Sequence, residues 1–272
     1  MSPVKDAIKR ALPPRLRKAG SELYWWWFNR GQHRAAAMTR PARARSRRRL
    51  GAYRDIRRGE RCFILGNGPS LRQTNLGRLK DEFTFGLNRV YLLFPELGFS
   101  TSYYVAVNTL VIEQCAAEIR SLHVPKFITW RARQWMAGDP QTIFVDTDYT
   151  GPETFSRDVT GRVFEGSTVT YVALQLAFHM GFETVILVGV DHNFSTQGAP
   201  NATVVSKGDD PDHFSAGYFG RGFRWQLPDL EGSERGYRLA DQAYRSSGRR
   251  VVDATIGGKL TVFPKVDFET LF

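Results

Sequence analysis

Between residues 61 and 71 the chain reads Arg61-Cys62-Phe63-Ile64-Leu65-Gly66-Asn67-Gly68-Pro69-Ser70-Leu71. A short apolar run stops at two glycines that flank an asparagine. This predicts a buried strand opening at its C-terminal end into a tight turn, with Gly66 and Gly68 free to take positive φ and to let a ligand approach. The turn's N–H groups, the Asn67 amide and the Ser70 hydroxyl are then candidates to hold a phosphate or a ribose. Open α/β sheets bind their ligands at such strand ends.

From residue 51 onward strand and helix signals alternate. Strands are expected at 61–65, 83–87, 103–107, 125–130, 142–146, 184–190 and 250–254. Helices are expected at about 70–80, 109–121, 168–180 and 231–247. Continuous β-rich runs such as Val185-Ile186-Leu187-Val188 suit strands covered on both faces. The alternation predicts an α/β fold with a doubly wound, mostly parallel, Rossmann-like sheet. Residues 195–230 mix Gly, Pro, Asp and aromatics without a period, and a connection of that length reads as a lid or binding loop.

Several strands share a polar ending. The second ends in Asn88, the third in Asn108, and the strand at 184–190 in Asp191-His192-Asn193. In a parallel sheet these groups share one edge with the glycine turn. Uncharged amides there offer donors and acceptors suited to ribose hydroxyls and a base edge.

Two common nucleotide motifs are excluded. Gly66-Asn67-Gly68 lacks the third glycine of a dinucleotide fingerprint, and Asn88 stands where the ribose-binding acid belongs. Gly257-Gly258-Lys259 lacks the rest of a phosphate-binding P-loop. The five histidines are scattered, and Cys62 and Cys115 cannot form a structural zinc site alone. They are expected to be reduced and buried. Asp146-Thr147-Asp148 is either a Mg²⁺ candidate or a solvated turn.

Charge divides the chain. Residues 1–50 hold 14 Lys/Arg against 2 Asp/Glu, which leaves 24 against 25 in residues 51–272. The organisation expected is a basic, Trp-rich segment over 1–50 and a near-neutral α/β domain over 51–272. Tyr24-Trp25-Trp26-Trp27-Phe28 lies between basic clusters, a pattern for docking on an anionic membrane surface, where each cation contributes about 1 kcal/mol. Packing of these rings on the body or on a partner subunit is the alternative. Nucleic acid is disfavoured because the neutral body offers no continuing basic groove. No run reaches the roughly 18 apolar residues of a membrane span, and residues 1–25 lack the features of a signal peptide. The expected location is cytoplasmic, peripheral to the inner face of the membrane.

The turn Gly66–Leu71, followed by Phe85-Gly86-Leu87-Asn88-Arg89-Val90-Tyr91, resembles the MptE-like family (domain of unknown function 115), described after an archaeal 6-hydroxymethylpterin diphosphokinase. The resemblance continues through Thr168-Val169-Thr170-Tyr171, through Gly189-Val190-Asp191-His192-Asn193-Phe194 and through 252–272. These stretches add Thr168, Thr170 and Asp191 to the candidate nucleotide-binding set. More distantly, the chain is similar to bacterial lipooligosaccharide sialyltransferases of glycosyltransferase family 42. That similarity implies a metal-independent nucleotide-sugar fold in which Asn67 and Asn88 match the residues that bind the cytidine nucleotide, with Asn108 at a matching position. The sialyltransferases carry an H-Y-x-x-H pattern. Here His213 matches its first histidine, and Gly217 stands in the place of the second, the family's base. The tyrosines that assist the departing phosphate are replaced by His192 and Asn193, which leaves Tyr218 as a substitute.

These resemblances imply a nucleotide-dependent transferase. The leading expectation is a glycosyltransferase that moves a CMP-activated sugar onto a lipid-linked or surface-glycan acceptor, with no tightly bound cofactor. His213 or His192 is its candidate base, since a histidine titrates near neutral pH. The alternatives are an Mg²⁺/ATP-dependent pterin diphosphokinase using Asp146, Asp148 or Asp191, and a non-catalytic nucleotide-binding or assembly protein. A homo-oligomer is compatible with either class.

Overall fold

The computed structural model describes residues 41–272. The Trp-rich cluster and most of the basic segment expected to meet a membrane lie outside the described residues. A compact unit runs from Ser46 to Phe272. Arg49 donates to the carbonyls of Thr142 (2.6 Å) and Pro140 (2.8 Å), and Leu50 is buried in the core. The end of the basic run therefore belongs to the folded body.

The body is built on an eight-stranded sheet ordered β10-β7-β1-β2-β3-β4-β5-β6, parallel throughout. Its strands are β1 (Arg61–Leu65), β2 (Phe83–Leu87), β3 (Tyr103–Ala106), β4 (Lys126–Thr129), β5 (Thr142–Asp148), β6 (Arg162–Phe164), β7 (Thr184–Val188) and β10 (Arg250–Asp253). The chain steps outward from β1 to β6, then returns to lay β7 against the other side of β1. Phe63 pairs with Thr84 of β2 and with Ile186 of β7. The connections thus diverge between β1 and β7, the crevice where doubly wound sheets hold ligands.

Both faces are covered. Cys62 and Ile64 of β1 point to one core, which also contains helix α3 (Val169–Met180) and Tyr237, Ala240 and Tyr244 of α4 (Leu230–Arg245). Phe63 and Leu65 point to the other, with α1 (Thr109–Gln114), α2 (Ala116–Ser121) and the aromatics of the 195–230 segment. Every residue of α3 from Thr170 to Met180 is buried, so its apolar side chains run round the whole helix rather than along one stripe. Both cysteines are free and buried, as expected.

Three expectations are corrected. Residues 70–80 form two 3₁₀ turns, Pro69–Gln73 and Leu76–Leu79, because Thr74 is extended (φ −96°, ψ 132°) and breaks the helix that the leucines imply. The helix at 109–121 divides at Cys115. The 195–230 segment is partly regular: β8 (Thr203–Val205) and β9 (Arg224–Gln226) pair antiparallel.

Candidate active site

The turn after β1 is stitched to the end of β7. Gly66 N–H donates to Val188 O (2.8 Å) and Gly68 N–H to Gly189 O (2.9 Å). Neither glycine takes positive φ, contrary to the sequence expectation; Gly68 sits at φ −70°, ψ 160°. Contact is what demands glycine here. A Cβ on Gly66 would stand 2.2 Å from Gly189 O, and one on Gly68 would stand 1.8 Å from Asp191 Oδ2.

Ser70 is likewise engaged. Its hydroxyl (2.7 Å) and its N–H (3.1 Å) both donate to the Asp191 carboxylate. Burial pushes the Asp191 carboxyl upward, against those two bonds. The N–H groups of Gly66, Gly68 and Ser70 and the Ser70 hydroxyl, read above as a phosphate cradle, thus tie two strand ends together.

The asparagines stand differently. The side-chain oxygens of Asn67 and Asn88 are buried with no hydrogen-bond partner among the described residues. Both residues line a cavity of about 150 Å³ at the β1–β7 crevice, together with Thr168, Thr170, Asp191 and both candidate histidines. A buried polar atom without a partner in a native fold calls for one, and a ligand in this cavity would supply it. Asn88 holds φ 48°, a left-handed conformation that asparagine tolerates and that places it at the β2 terminus.

Two helices begin at this cavity. Thr168 caps α3 by accepting from Thr170 N–H (3.3 Å), and Asp229 caps α4 by accepting from Gly232 N–H (2.8 Å). Ser167 joins the caps by donating to Asp229 (3.1 Å). Their first turns both line the cavity, so two helix dipoles present their positive ends to it. Tyr237, buried on α4, lines the cavity beside Thr168 and Thr170 at the start of α3.

The segment after β7 supplies the histidines. His192 (φ 53°) is held by Glu234 of α4, Nε2 to Oε1 at 3.1 Å. His213 Nδ1 donates to the Asp210 carboxylate at 2.8 Å, and its ring stacks on Tyr218 at 4.0 Å, 3° from parallel. Its Nε2 has no hydrogen-bond partner among the described residues. Tyr218 is wholly buried, accepts from Arg89 N–H (3.2 Å), and has a hydroxyl pushed well above its ordinary pKa by burial. It is the platform beneath His213 and lines neither cavity, so it does not stand in for the family's phosphate-assisting tyrosines. Gly217 is exposed and lines neither cavity.

The loop is anchored where it meets the turn. Phe214 N–H donates to Asn67 O (2.9 Å), and Arg72 Nε donates to Phe214 O (2.7 Å). Asp212 accepts from the amides and hydroxyls of Ser195 and Thr196, at 2.6 to 3.3 Å.

A second cavity of about 590 Å³ continues along the sheet edge past β2 and shares Asn88, Thr168 and His213 with the first. Asn108 lines it while capping α1 by accepting from Leu110 N–H (2.9 Å). Asp146 and Asp148, at the end of β5, line neither cavity. They stand four strand spacings from β1, about 19 Å. Asp148 is bound to Thr150 and Arg162. Of the acids named for Mg²⁺, Asp191 stands at the glycine turn and Asp146 and Asp148 do not join it. Among the described residues no three His, Cys, Asp or Glu side chains cluster as metal ligands would.

Asp210 and Asp229 were not among the residues singled out from the sequence. The D-x-x-H spacing of Asp210 and His213 is visible there, but Asp209 and Asp212 flank it and only the loop geometry chooses between them.

The model of the family described as 6-hydroxymethylpterin diphosphokinase MptE-like matches residues 45–197, more than half of the chain. The chain belongs to the MptE-like family. The matched region of this MptE-like protein runs from the basic run through the glycine turn to the start of the 195–230 segment. No curated protein matches it. A solved structure that it resembles is the MAf glycosyltransferase from Magnetospirillum magneticum AMB-1, at a TM-score of 0.51 and 13% identity, over 85% of this chain and 39% of that one. The MptE-like chain thus spans well under half of that protein's length, and the likeness is one of fold. Both descriptions name transferases.

Proposed function

We propose that this MptE-like protein is a glycosyltransferase that moves a sugar from a CMP-activated donor to a lipid-linked or surface-glycan acceptor. The observation that carries the reading is His213, which lines both cavities and is paired through Nδ1 with Asp210 behind it. With Nδ1 committed to a carboxylate, Nε2 is the nitrogen left to take a proton. As the anomeric C–O bond to the phosphate breaks, the acceptor hydroxyl attacks that carbon and passes its proton to His213. Asp210 steadies the imidazolium that forms. CMP departs, its phosphate charge facing the N-termini of α3 and α4.

The smaller cavity, about 150 Å³, takes part of the donor, and the rest of the donor extends over the rim toward His213. Asn67 and Asn88 accept from ribose hydroxyls or the cytosine amino group, and Thr168 and Thr170 bring the start of α3 to the phosphate. Gly66, Gly68, Ser70 and Asp191 hold the shape of the turn. Residues 1–50 dock the protein on an anionic membrane surface, where a lipid-linked acceptor would be met. The family's description favours a second reading, Mg²⁺/ATP-dependent diphosphoryl transfer to a pterin.

Thermal shifts with CMP, CDP and ATP, each with and without Mg²⁺, followed by turnover assays on the best binder, test the proposal. Stabilisation by CMP without Mg²⁺ is expected. A shift by ATP that requires Mg²⁺ would overturn the CMP-sugar reading, and CMP binding without turnover would favour a non-catalytic nucleotide-binding protein.

A further inference from the structure

The larger cavity, about 590 Å³, has the size of a small-molecule pocket. We propose that it is the acceptor subsite and that it takes the uncharged, hydroxyl-rich end of a saccharide; the acceptor role rests on the glycosyltransferase reading above.

Its lining is neutral by cancellation. The Lys, Arg, Asp and Glu side chains among its described lining residues are Arg131 and Glu165, paired at 2.6 Å. Glu165 also accepts from the Thr147 hydroxyl (2.6 Å). Among the described residues lining it no other cation stands ready for a carboxylated or phosphorylated acceptor, and the Glu165 carboxylate would repel one. The pair instead offers N–H donors beside carboxylate acceptors, the mixture that neighbouring sugar hydroxyls satisfy.

An aromatic surface and weakly held amides complete the site. Tyr149 is 63% exposed, with the Arg131 guanidinium 4.6 Å from its ring centroid. One face is thus held by the cation, and the side chain remains open to the C–H face of a sugar. Asn108 donates to Gln226 at 3.4 Å and Gln226 to Asn201 O at 3.5 Å. These bonds are long enough for a sugar hydroxyl to replace them at little cost. The shared rim at Asn88 and His213 brings a hydroxyl bound here next to the donor cavity.

Saturation-transfer NMR on the full chain tests this, with a mixture of the methyl glycosides of glucose, galactose, mannose and N-acetylglucosamine as probe, in the absence and presence of CMP. The expected result is transfer to at least one glycoside, retained with CMP and lost in Tyr149→Ala, which melts at the parent's temperature because the side chain is exposed. Glu165→Gln should also lose the signal. The proposal is overturned by no transfer to any glycoside, by equal transfer in Tyr149→Ala, by displacement of the glycosides by CMP, or by Tyr149-dependent transfer to 6-hydroxymethylpterin instead. If CMP gives no thermal shift while glycoside transfer still depends on Tyr149, the donor reading falls and the saccharide site stands.

Discussion

His213 and Gly68 carry the sharpest consequences of a single side chain. His213→Ala should lower the transfer rate by about 10² to 10⁴, the usual contribution of a general base, with CMP affinity unchanged in a calorimetric titration. Asp210→Asn should give a smaller loss and an altered pH–rate profile, since the amide still positions the ring but cannot stabilise its charge. Asn67→Ala removes an acceptor that no group among the described residues uses. It should leave the melting temperature alone and weaken CMP binding about tenfold, one hydrogen bond's worth. Gly68→Ala forces a Cβ into Asp191, so it should lower the melting temperature and CMP binding together. The strand-end asparagines were legible in the sequence because a polar residue after an apolar run has nowhere else to go. The reason for the glycines was not, since their neighbours at 189 and 191 lie more than a hundred residues away.

Among the elements, the 195–230 segment depends most on charge. Burial raises the Asp212 pKa, but the hydrogen bonds from Thr196 and Ser195 together hold the carboxyl below its ordinary range. A carboxylate lowered in the folded state adds stability above its unfolded pKa and loses it as pH falls through the folded value. Below about pH 4 this clamp should open before the sheet does. Hydrogen exchange at the Ser195 and Thr196 amides checks it: Asp212→Asn at pH 7 should raise exchange there about tenfold while β1 and β7 stay protected. The long parallel strands were legible as continuous apolar runs covered on both faces. β6 was not, being three residues long with Arg162 exposed. The hairpin of β8 and β9 also escaped, because Thr203–Val205 is itself half exposed and earns its order from the partner strand.

At the scale of the whole molecule the charge is divided between a basic segment over residues 1–50 and a near-neutral remainder. Removing residues 1–40 should abolish binding to phosphatidylserine vesicles in a flotation assay and leave the CMP thermal shift intact. Retained flotation would reject membrane docking by this segment. The doubly wound architecture was readable from the alternation of elements, and the crevice between β1 and β7 follows from the sheet order alone. What alternation could not show is how the loop carrying His213 returns to that crevice. It does so through Phe214 N–H on the carbonyl of Asn67 and through Arg72 on the carbonyl of Phe214. His213 and the glycine turn are thereby parts of one mechanical unit. The turn cannot be reshaped without also re-aiming the histidine, and a transplant of the loop into another sheet would have to carry residues 66–72 along with it.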